Sequence, residues 1–313
     1  MLLDWVEFTI KDLSLEDVFL QVLKLNIADF TDLERGRYGY KKCKQLGNIS
    51  ILYDGKEEMG IHVVLSGRGC REYEAGQNLL KLISRIDSVD GKITRLDIAI
   101  DDTQNIIPFD KILQDVKEGN IVSKWKKSIE IVERELKTGQ ITGKTVNFGS
   151  RTSEILLRIY DKTKEQAKKQ EKENPTVNWV RMELELKKTK AFKMQKILLE
   201  TEYIGEIVSA ILNNYIRFVV KGKDKNKSRW SIAPYWENIL ITTKKLSLAI
   251  KPAERTTEDV KNWIVKQVTP SLALCLLDNG GDIGELLYLI GEGRKRLKPK
   301  HLKMLKGDDY NAK

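Results

Sequence analysis

Three short segments of the chain carry polar side chains at alternate positions, and these residue types could do chemistry on a phosphate group. The segments are KITRLDIAID at 92–101, ILLRIY at 155–160 and VRMELEL at 180–186. Residues two apart lie on one face of an extended strand, so each segment predicts a charged face opposite an apolar one. Neighbouring strands would bring the three charged faces together into one polar surface.

The combined surface holds candidate metal ligands. They are all carboxylates, at Asp97, Asp101, Glu183 and Glu185. Carboxylate oxygens suit Mg²⁺ or Mn²⁺. A divalent cation held there would bind a phosphate, neutralise its charge and stabilise a leaving oxygen. The sequence therefore predicts Mg²⁺ or Mn²⁺ as the cofactor.

The same surface holds a candidate nucleophile, Tyr160, with cationic neighbours. The predicted catalytic partners of Tyr160 are Arg158, Lys162 and Arg181. Since a free tyrosine has a pKa near 10, very little phenolate is present at neutral pH. We expect Arg158 and Lys162 to lower the pKa of Tyr160 and to hold the phosphate.

Plainer interpretations of these faces stay open. Strand faces with mixed charges are often solvated surfaces whose charges pair with one another, and Tyr160 could be an ordinary amphipathic residue near a sheet edge. On that interpretation the protein would be a non-catalytic DNA-binding protein whose acidic face is structural.

The composition favours an anionic partner. The chain has 313 residues, with 55 Lys and Arg against 45 Asp and Glu and a net charge of +10. Such a balance suits nucleic acid, an anionic membrane or an acidic protein. The N-terminal MLLDWVEFTI is too short and polar for a signal peptide, and no apolar run reaches membrane-spanning length. We therefore expect a cytoplasmic protein that does not enter a membrane.

The elements that must position these residues follow an α+β pattern. The first part predicts a largely antiparallel sheet with flanking helices, and a mainly helical region follows it. We place a catalytic domain at 1–225 and a C-terminal DNA-binding and specificity region at 226–313. Local signals predict a turn at Gly67–Gly69, a helix over 72–86, and a helix that begins after Thr256 and ends at Pro270. A last helix is predicted around 299–305.

Four basic segments are candidates for DNA binding: RGRYGYKK at 35–42, SGRGCR at 66–71, KGKDKNKSR at 221–229 and RKRLKPKHLKMLK at 294–306. Aromatic residues between basic ones can stack on unpaired bases, and lysines and arginines bind phosphates. Each segment could instead be a solvated loop, a strand-to-helix turn or a basic stretch that aids solubility. The predicted DNA-binding residues are Arg35, Arg37, Tyr38, Arg68, Arg71, Arg151, Lys221, Lys223, Lys225, Arg294, Lys295 and Arg296.

Three motifs together resemble a known family. They are ITRLDIAIDD at 93–102, NFGSRTSEILLRIYDKTKEQ at 147–166 and WVRMELELKK at 179–188. In order and spacing they resemble the pT181-type (Rep-trans) rolling-circle plasmid replication initiators and the related initiator-relaxases of Gram-positive conjugative transposons.

The resemblance implies a site-specific DNA nicking-closing enzyme that forms a 5′-phosphotyrosine intermediate. Tyr160, in RIYDK, matches the nicking tyrosine, while Asp97 and Glu183 match the acidic positions of the RLD and Arg-x-Glu motifs. Asp101 and Glu185 match as well. The chain has two histidines, His62 and His301, far apart in sequence, which agrees with the family's metal site built from carboxylates alone.

The resemblance also implies partners. Members of the family act as homodimers on an inverted-repeat origin, cut a single-stranded nick site and recruit a helicase of the PcrA type. Their sequence specificity lies in the C-terminal part, where this chain matches least. A near alternative is a relaxase-like initiator of an integrative or conjugative element, with the same chemistry in another genetic context.

Overall fold

The computed structural model describes residues 1–170, 178–201, 203–248, 261 and 264–295. The chain divides into two compact units, Met1–Lys251 and Pro252–Lys313. The first unit carries the three charged segments. It continues past the predicted boundary at residue 225, because the helix at Pro234–Lys244 belongs to it.

The first unit contains a ten-stranded antiparallel sheet. The strands of the chain are β1 (Leu2–Ile10), β2 (Thr31–Leu33), β3 (Lys42–Leu46), β4 (Ile49–Tyr53), β5 (Ile61–Leu65), β6 (Lys92–Asp102), β7 (Ile121–Ser123), β8 (Ser128–Arg134), β9 (Ile141–Phe148), β10 (Ile155–Asp161), β11 (Val180–Lys187) and β12 (Ile216–Phe218). The order in the large sheet is β2-β3-β4-β5-β1-β6-β11-β10-β9-β8, and β12 pairs with β7 separately. Every neighbouring pair in the large sheet is antiparallel, as predicted.

Helices lie between the strands and follow them. They are α1 (Leu15–Asp17), α2 (Gly67–Glu74), α3 (Leu79–Ser88), α4 (Phe109–Glu118), α5 (Lys162–Gln170), α6 (Lys188–Glu200), α7 (Ile204–Tyr215), α8 (Pro234–Lys244), α9 (Thr269–Asp278) and α10 (Ile283–Lys295). Two π-helical segments, Val18–Leu23 and Ile264–Val268, join α1 and α9 respectively. No helix among the described residues is long and apolar enough to cross a membrane. The predicted α+β class with a helical C-terminal region is confirmed.

The apolar side of the central strands forms the main core. Leu96, Ile98, Leu157, Ile159 and Leu184 are all buried in it. Helix α6 packs against β6 and β11 and also contacts α3. This covers one side of the sheet and leaves the charged residues of the same strands on the other.

A buried glutamine of α6, Gln195, fixes the start of β6. The pairing of β6 with β1 shifts register between Ile93 and Arg95, which marks a β-bulge. Gln195 accepts a hydrogen bond from the Ile93 backbone N–H at 2.8 Å and donates to the Gly91 carbonyl at 3.1 Å. Gln195 therefore satisfies backbone groups just before the residues that carry the charged face.

The predicted turn at Gly67–Gly69 and the single helix over 72–86 were wrong. Residues 67–74 form α2, whose first turn is capped by the Ser66 side chain, and Asn78 caps a second helix, α3. A glycine is required at 69, since a Cβ there would lie 2.4 Å from the Asn48 carbonyl oxygen. The glycines thus allow close packing of a helix rather than marking a turn.

Two predictions about the C-terminal region have different outcomes. Pro270 does not end a helix: it lies in the first turn of α9, where its missing N–H costs nothing. The predicted cap Thr256 and the predicted helix around 299–305 lie outside the described residues.

Candidate active site

Strand pairing places the three charged faces side by side on one surface, as predicted. Tyr160 of β10 is opposite Arg181 of β11, and Arg181 is opposite Asp101 of β6. Further along β11, Glu185 is opposite Asp97. Because antiparallel partners point to the same face, the nucleophile candidate and the carboxylates share one side of the sheet.

Tyr160 is held by a short hydrogen bond to Glu183. The phenol Oη donates to Glu183 Oε1 at 2.6 Å, and Lys162 Nζ lies 3.3 Å from the same phenol oxygen. Tyr160 is 9% exposed and Glu183 is 5% exposed, so the pair is nearly excluded from water. Lys162 is the first residue of α5 rather than part of the strand, yet its amine still reaches the Tyr160 oxygen.

The expected lowering of the pKa of Tyr160 was wrong. Burial is the main cause of a pKa raised above the usual value of 10, and the negative charge of Glu183 adds to it. The charge of Arg181 acts in the opposite direction and does not outweigh these effects. The resting tyrosine is therefore a protonated phenol that needs an acceptor for its proton.

Glu183 has the properties of such an acceptor. Burial raises the pKa of its carboxyl, while the hydrogen bond from Tyr160 and the charge of Arg158 work against that rise. Burial also raises the pKa of Asp97 to about 7, and the nearby Glu185 and Glu183 carboxylates contribute to the rise. Arg95 opposes it. The three buried carboxylates thus lie close enough to repel one another.

Each carboxylate has a cationic partner in the structure. Arg95 binds Asp97 through two nitrogens, at 3.0 Å and 2.6 Å, and also contacts Glu185 at 3.0 Å. Arg158 lies 3.2 Å from Glu183 Oε2. Lys187 pairs with Glu185.

Arg181 forms a second set of contacts on Asp101 and Asp4, and its Nη1 also lies 4.0 Å from Glu183 Oε1. It binds both oxygens of Asp101, at 2.6 Å and 2.8 Å, and reaches Asp4 at 2.8 Å. Asp101 also accepts a hydrogen bond from the Trp179 indole at 2.7 Å. Asp101 is therefore committed to Arg181 and Trp179, whereas Asp97, Glu183 and Glu185 lie close to one another.

Carboxylate oxygens suit a hard divalent cation, but arginine side chains already contact these oxygens in the structure. Among the residues that the structure describes, no group of three His, Cys, Asp or Glu side chains is arranged to hold a metal ion. A cation bound by Asp97, Glu183 and Glu185 would compete with Arg95 and Arg158. Mutual repulsion among buried carboxylates is the condition that a cation would relieve.

Two open cavities meet at Tyr160. The first, of ≈ 510 Å³, is lined by Tyr160, Glu183 and Asp97 together with Arg68 and Arg71 of α2. The second, of ≈ 380 Å³, extends over β9 and includes Arg158, Tyr160 and Arg151. An extended ligand could therefore approach the phenol from two directions.

Every predicted DNA-binding residue that the structure describes is exposed, and Arg296 lies outside the described residues. Only three of those described line the cavities at Tyr160: Arg68, Arg71 and Arg151. Tyr38, 62% exposed, lies with Arg37 between β2 and β3. The Lys221–Lys225 loop follows β12 in the first unit, and Arg294 and Lys295 end α10 in the second.

Several residues at the site were missed from the sequence. They are Asp4 and Trp5 on β1, Glu165 on α5, and Trp179 just before β11. The alternation along β1 could have pointed to Asp4, but no local signal shows that β1 pairs with β6 beside the charged faces. Glu165 binds Lys162 at 2.7 Å, a contact that depends on how α5 begins after β10.

Comparisons with known proteins agree with this geometry. Residues 91–283 match the profile of the Rep_trans family, described as replication initiation factor. Residues 1–81 match the N-terminal domain of rolling-circle replication initiation proteins. The first match includes all three charged strands.

Two relatives extend over most of the chain. A candidate DNA relaxase of Bacillus subtilis (strain 168), NicK, is 28% identical over 99% of this chain and 90% of that protein. A rolling-circle replication initiator protein from Geobacillus stearothermophilus has a solved structure with a TM-score of 0.73 and 33% identity, covering 79% of this chain and 97% of that one. The chain therefore belongs to the Rep_trans family of rolling-circle replication initiators and relaxases.

Proposed function

We propose that this protein binds a double-strand replication origin and nicks and later recloses one strand, with Tyr160 as the nucleophile. The observation that carries the proposal is the position of the Tyr160 phenol, 2.6 Å from the buried Glu183 carboxylate and open to two cavities. Family membership and a net charge of +10 agree with a DNA substrate.

In the proposed reaction the Tyr160 proton passes to Glu183 Oε1. The phenolate oxygen attacks the scissile phosphorus, the bond from phosphorus to the 3′ oxygen breaks, and that oxygen takes up a proton from solvent. The products are a 5′-phosphotyrosine and a free 3′-hydroxyl. Because the phosphodiester energy is conserved in the new bond, attack by a 3′-hydroxyl reverses the step and closes the strand.

The neighbouring cations support this chemistry. Lys162, 3.3 Å from the phenol oxygen, would stabilise negative charge as the phenolate forms. Arg158 lines both cavities and would hold the phosphate. Arg181 is buried between Asp101 and Asp4, so we assign it to positioning rather than to direct phosphate contact.

A divalent cation, Mg²⁺ or Mn²⁺, is part of the proposal. Asp97, Glu183 and Glu185 would hold it, and Asp101 is the weaker candidate because Arg181 and Trp179 occupy its oxygens. When bound, the cation would neutralise phosphate charge and stabilise the leaving oxygen.

The partners belong to the proposal as well. We infer a homodimer on an inverted-repeat origin, recruitment of a helicase of the PcrA type, and action on cytoplasmic DNA. We assign sequence specificity to residues 226–313 and non-specific phosphate contact to the exposed basic residues of the four basic segments. Similarity to NicK over nearly the whole chain favours one alternative, a relaxase that initiates transfer of an integrative element.

The deciding experiment incubates supercoiled origin plasmid with Mg²⁺ and either the native protein or Tyr160→Phe. We expect the native protein to nick the plasmid and to leave a 5′-phosphotyrosine adduct on a single-stranded oligonucleotide that carries the nick site. Tyr160→Phe should do neither. Tyr203→Phe, at an exposed tyrosine outside both cavities, is the matched control and should retain full activity.

Two results would contradict the proposal. Nicking by Tyr160→Phe would exclude Tyr160 as the nucleophile. Tight origin binding by the native protein without any nicking would favour the non-catalytic DNA-binding interpretation. Comparing plasmid origins with transfer origins as substrates separates the replication initiator from the relaxase.

A further inference from the structure

We propose that Trp179 is a stacking platform for one unpaired nucleotide beside the scissile phosphate, with Arg68 binding a neighbouring phosphate. The inference rests on the proposed nicking function and adds how the single strand is held there. Trp179 and Arg68 both line the ≈ 510 Å³ cavity that also contains Tyr160.

Trp179 has no role in the apolar cores. It is half-buried, and it is not among the side chains that pack against either apolar core of the described residues. Trp5, which lines the same cavity, differs because it packs against the small cluster that contains Tyr40 and Leu52. Core packing therefore explains Trp5 but does not explain Trp179.

The position of Trp179 relative to Tyr160 is fixed by the backbone. Its carbonyl accepts hydrogen bonds from the backbone N–H groups of Lys162 at 2.8 Å and Thr163 at 3.1 Å. Its own N–H donates to the Thr163 hydroxyl at 2.6 Å. Lys162 is two residues from Tyr160 in sequence, so the tryptophan and the nucleophile are tied together through β10 and the start of α5.

The indole ring is also fixed in orientation. Its Nε1 donates to Asp101 at 2.7 Å, and the Arg181 guanidinium lies 5.6 Å from the ring centroid. A rigid aromatic ring at the wall of an open cavity binds a nucleobase with little loss of side-chain entropy. Every base has a π-face, so such a platform is tolerant of sequence.

Arg68 supplies a charge toward the same cavity. It is exposed in the first turn of α2, and its side chain makes no hydrogen bond or ion pair with any residue that the structure describes. Arg71, one turn later, instead binds the Leu3 carbonyl and Glu74. Arg68 is thus free to contact a phosphate, whereas Arg71 already has partners.

A base that stacks on Trp179 must have left the double helix. Bases in a duplex have both faces covered by their neighbours, so the platform selects single-stranded DNA. This agrees with a site at which one strand is cut, and it separates the contribution of Trp179 from that of basic residues that contact any DNA.

Binding is tested in a Tyr160→Phe background, so that no cleavage occurs. The probe is a fluorescein-labelled oligothymidylate about 12 nucleotides long, within the range that small single-strand sites cover. Anisotropy titrations compare Trp179→Leu and Trp179→Phe, with Tyr203→Leu as the matched control at an exposed aromatic residue outside the Tyr160 cavities and the basic segments.

We expect Trp179→Leu to weaken single-strand binding by about 5- to 150-fold, the loss of one base stack. Trp179→Phe keeps an aromatic face and should retain most of the affinity, although it loses the hydrogen bond to Asp101. Affinity for a duplex of the same length should not change in either variant, and Tyr203→Leu should bind the single strand normally. Arg68→Gln should reduce the salt dependence of binding, the slope of log K against log salt, by about 0.7, while Trp179→Leu should leave that slope unchanged.

A second readout covers the case in which Trp179→Leu folds poorly. Oligothymidylate should quench part of the tryptophan fluorescence of the parent protein, and this quenching should be clearly smaller in Trp179→Phe, where Trp5 is the tryptophan that still lines the cavity. Equal affinities of parent and Trp179→Leu, equal losses on duplex and single strand, or undiminished quenching in Trp179→Phe would each overturn the inference. These results do not depend on cleavage, so they remain distinct from a failure of Tyr160 as the nucleophile.

Discussion

Replacing Gln195 by leucine tests whether α6 holds β6, the strand that carries Asp97, in place. The side chain is fully buried and makes three hydrogen bonds, one to α3 and two to the backbone just before and within β6. It accepts from the Ile93 N–H at 2.8 Å and donates to the Asp87 carboxylate at 3.0 Å and to the Gly91 carbonyl at 3.1 Å. Leucine has similar size but can make none of these bonds.

The expected loss follows from which groups are left without partners. Asp87 keeps its ion pair with Lys196, so the loss of its hydrogen bond from Gln195 costs little stability. The Ile93 N–H and the Gly91 carbonyl are buried and lose their hydrogen bonds to Gln195, at about 1–3 kcal/mol for each group left unsatisfied. Added apolar burial by leucine offsets about 1–2 kcal/mol. We therefore expect the free energy of unfolding to fall by about 1–4 kcal/mol.

The assay is urea unfolding followed by circular dichroism, together with thermal melting. For a unit of this size, a loss of that magnitude lowers Tm by about 2–15 °C. Gln114→Leu, at an exposed position on α4, is the matched control and should change stability by less than about 0.5 kcal/mol. If Gln195→Leu is no less stable than Gln114→Leu, the Gln195 hydrogen bonds do not hold β6 against α6.

Three further outcomes are expected. Asp97→Ala and Glu183→Ala should abolish nicking, and so should chelation of the divalent cation. Duplex affinity in a filter-binding assay should stay within about twofold of the native value. Unchanged cleavage in both variants would remove these carboxylates from the site. Burial pushes the pKa of Asp115 upward, but hydrogen bonds from Lys111 and other neighbours outweigh it and lower that pKa. The stability that Asp115 provides is therefore present above the unfolded pKa and is lost as pH falls below about 4. Asp115→Asn should destabilise the fold at pH 7, and this destabilisation should disappear in acid. Urea unfolding at each pH measures the difference. A constant difference down to about pH 2 would contradict the assignment. The Lys221–Lys225 loop is neutralised by the variants Lys221→Gln, Lys223→Gln and Lys225→Gln. For each phosphate that the loop no longer neutralises, the slope of log K against log salt for duplex binding should become shallower by about 0.9. An unchanged slope would show that the loop does not touch DNA.

The charged faces could be predicted from sequence because strand periodicity is local. Alternation along 92–101, 155–160 and 180–186 assigns each side chain to a face without knowledge of the strand order. The pairing of Tyr160 with Arg181 and of Asp97 with Glu185 then follows from register, which the apolar faces enforce. The shared surface was therefore within reach of the sequence.

The parts that could not be predicted depend on contacts between distant segments. The pKa of Tyr160 is set by burial and by Glu183, 23 residues away in sequence, rather than by the neighbouring cations. Asp4 reaches the site only because β1 pairs with β6. Gly67 and Gly69 gave a turn signal, although a helix capped by Ser66 packs there against the Asn48 backbone.

The position of β11 has a consequence for the newborn chain. β11 lies between β6 and β10, yet it is the last of the ten sheet strands to leave the ribosome. Until residues 180–187 emerge, the Tyr160 phenol lacks its hydrogen-bond acceptor Glu183, and β6 and β10 have no strand between them. On the proposed mechanism, a fragment cut short by stalled translation would carry the nucleophile without the carboxylate that receives its proton, and we expect such a fragment not to nick DNA.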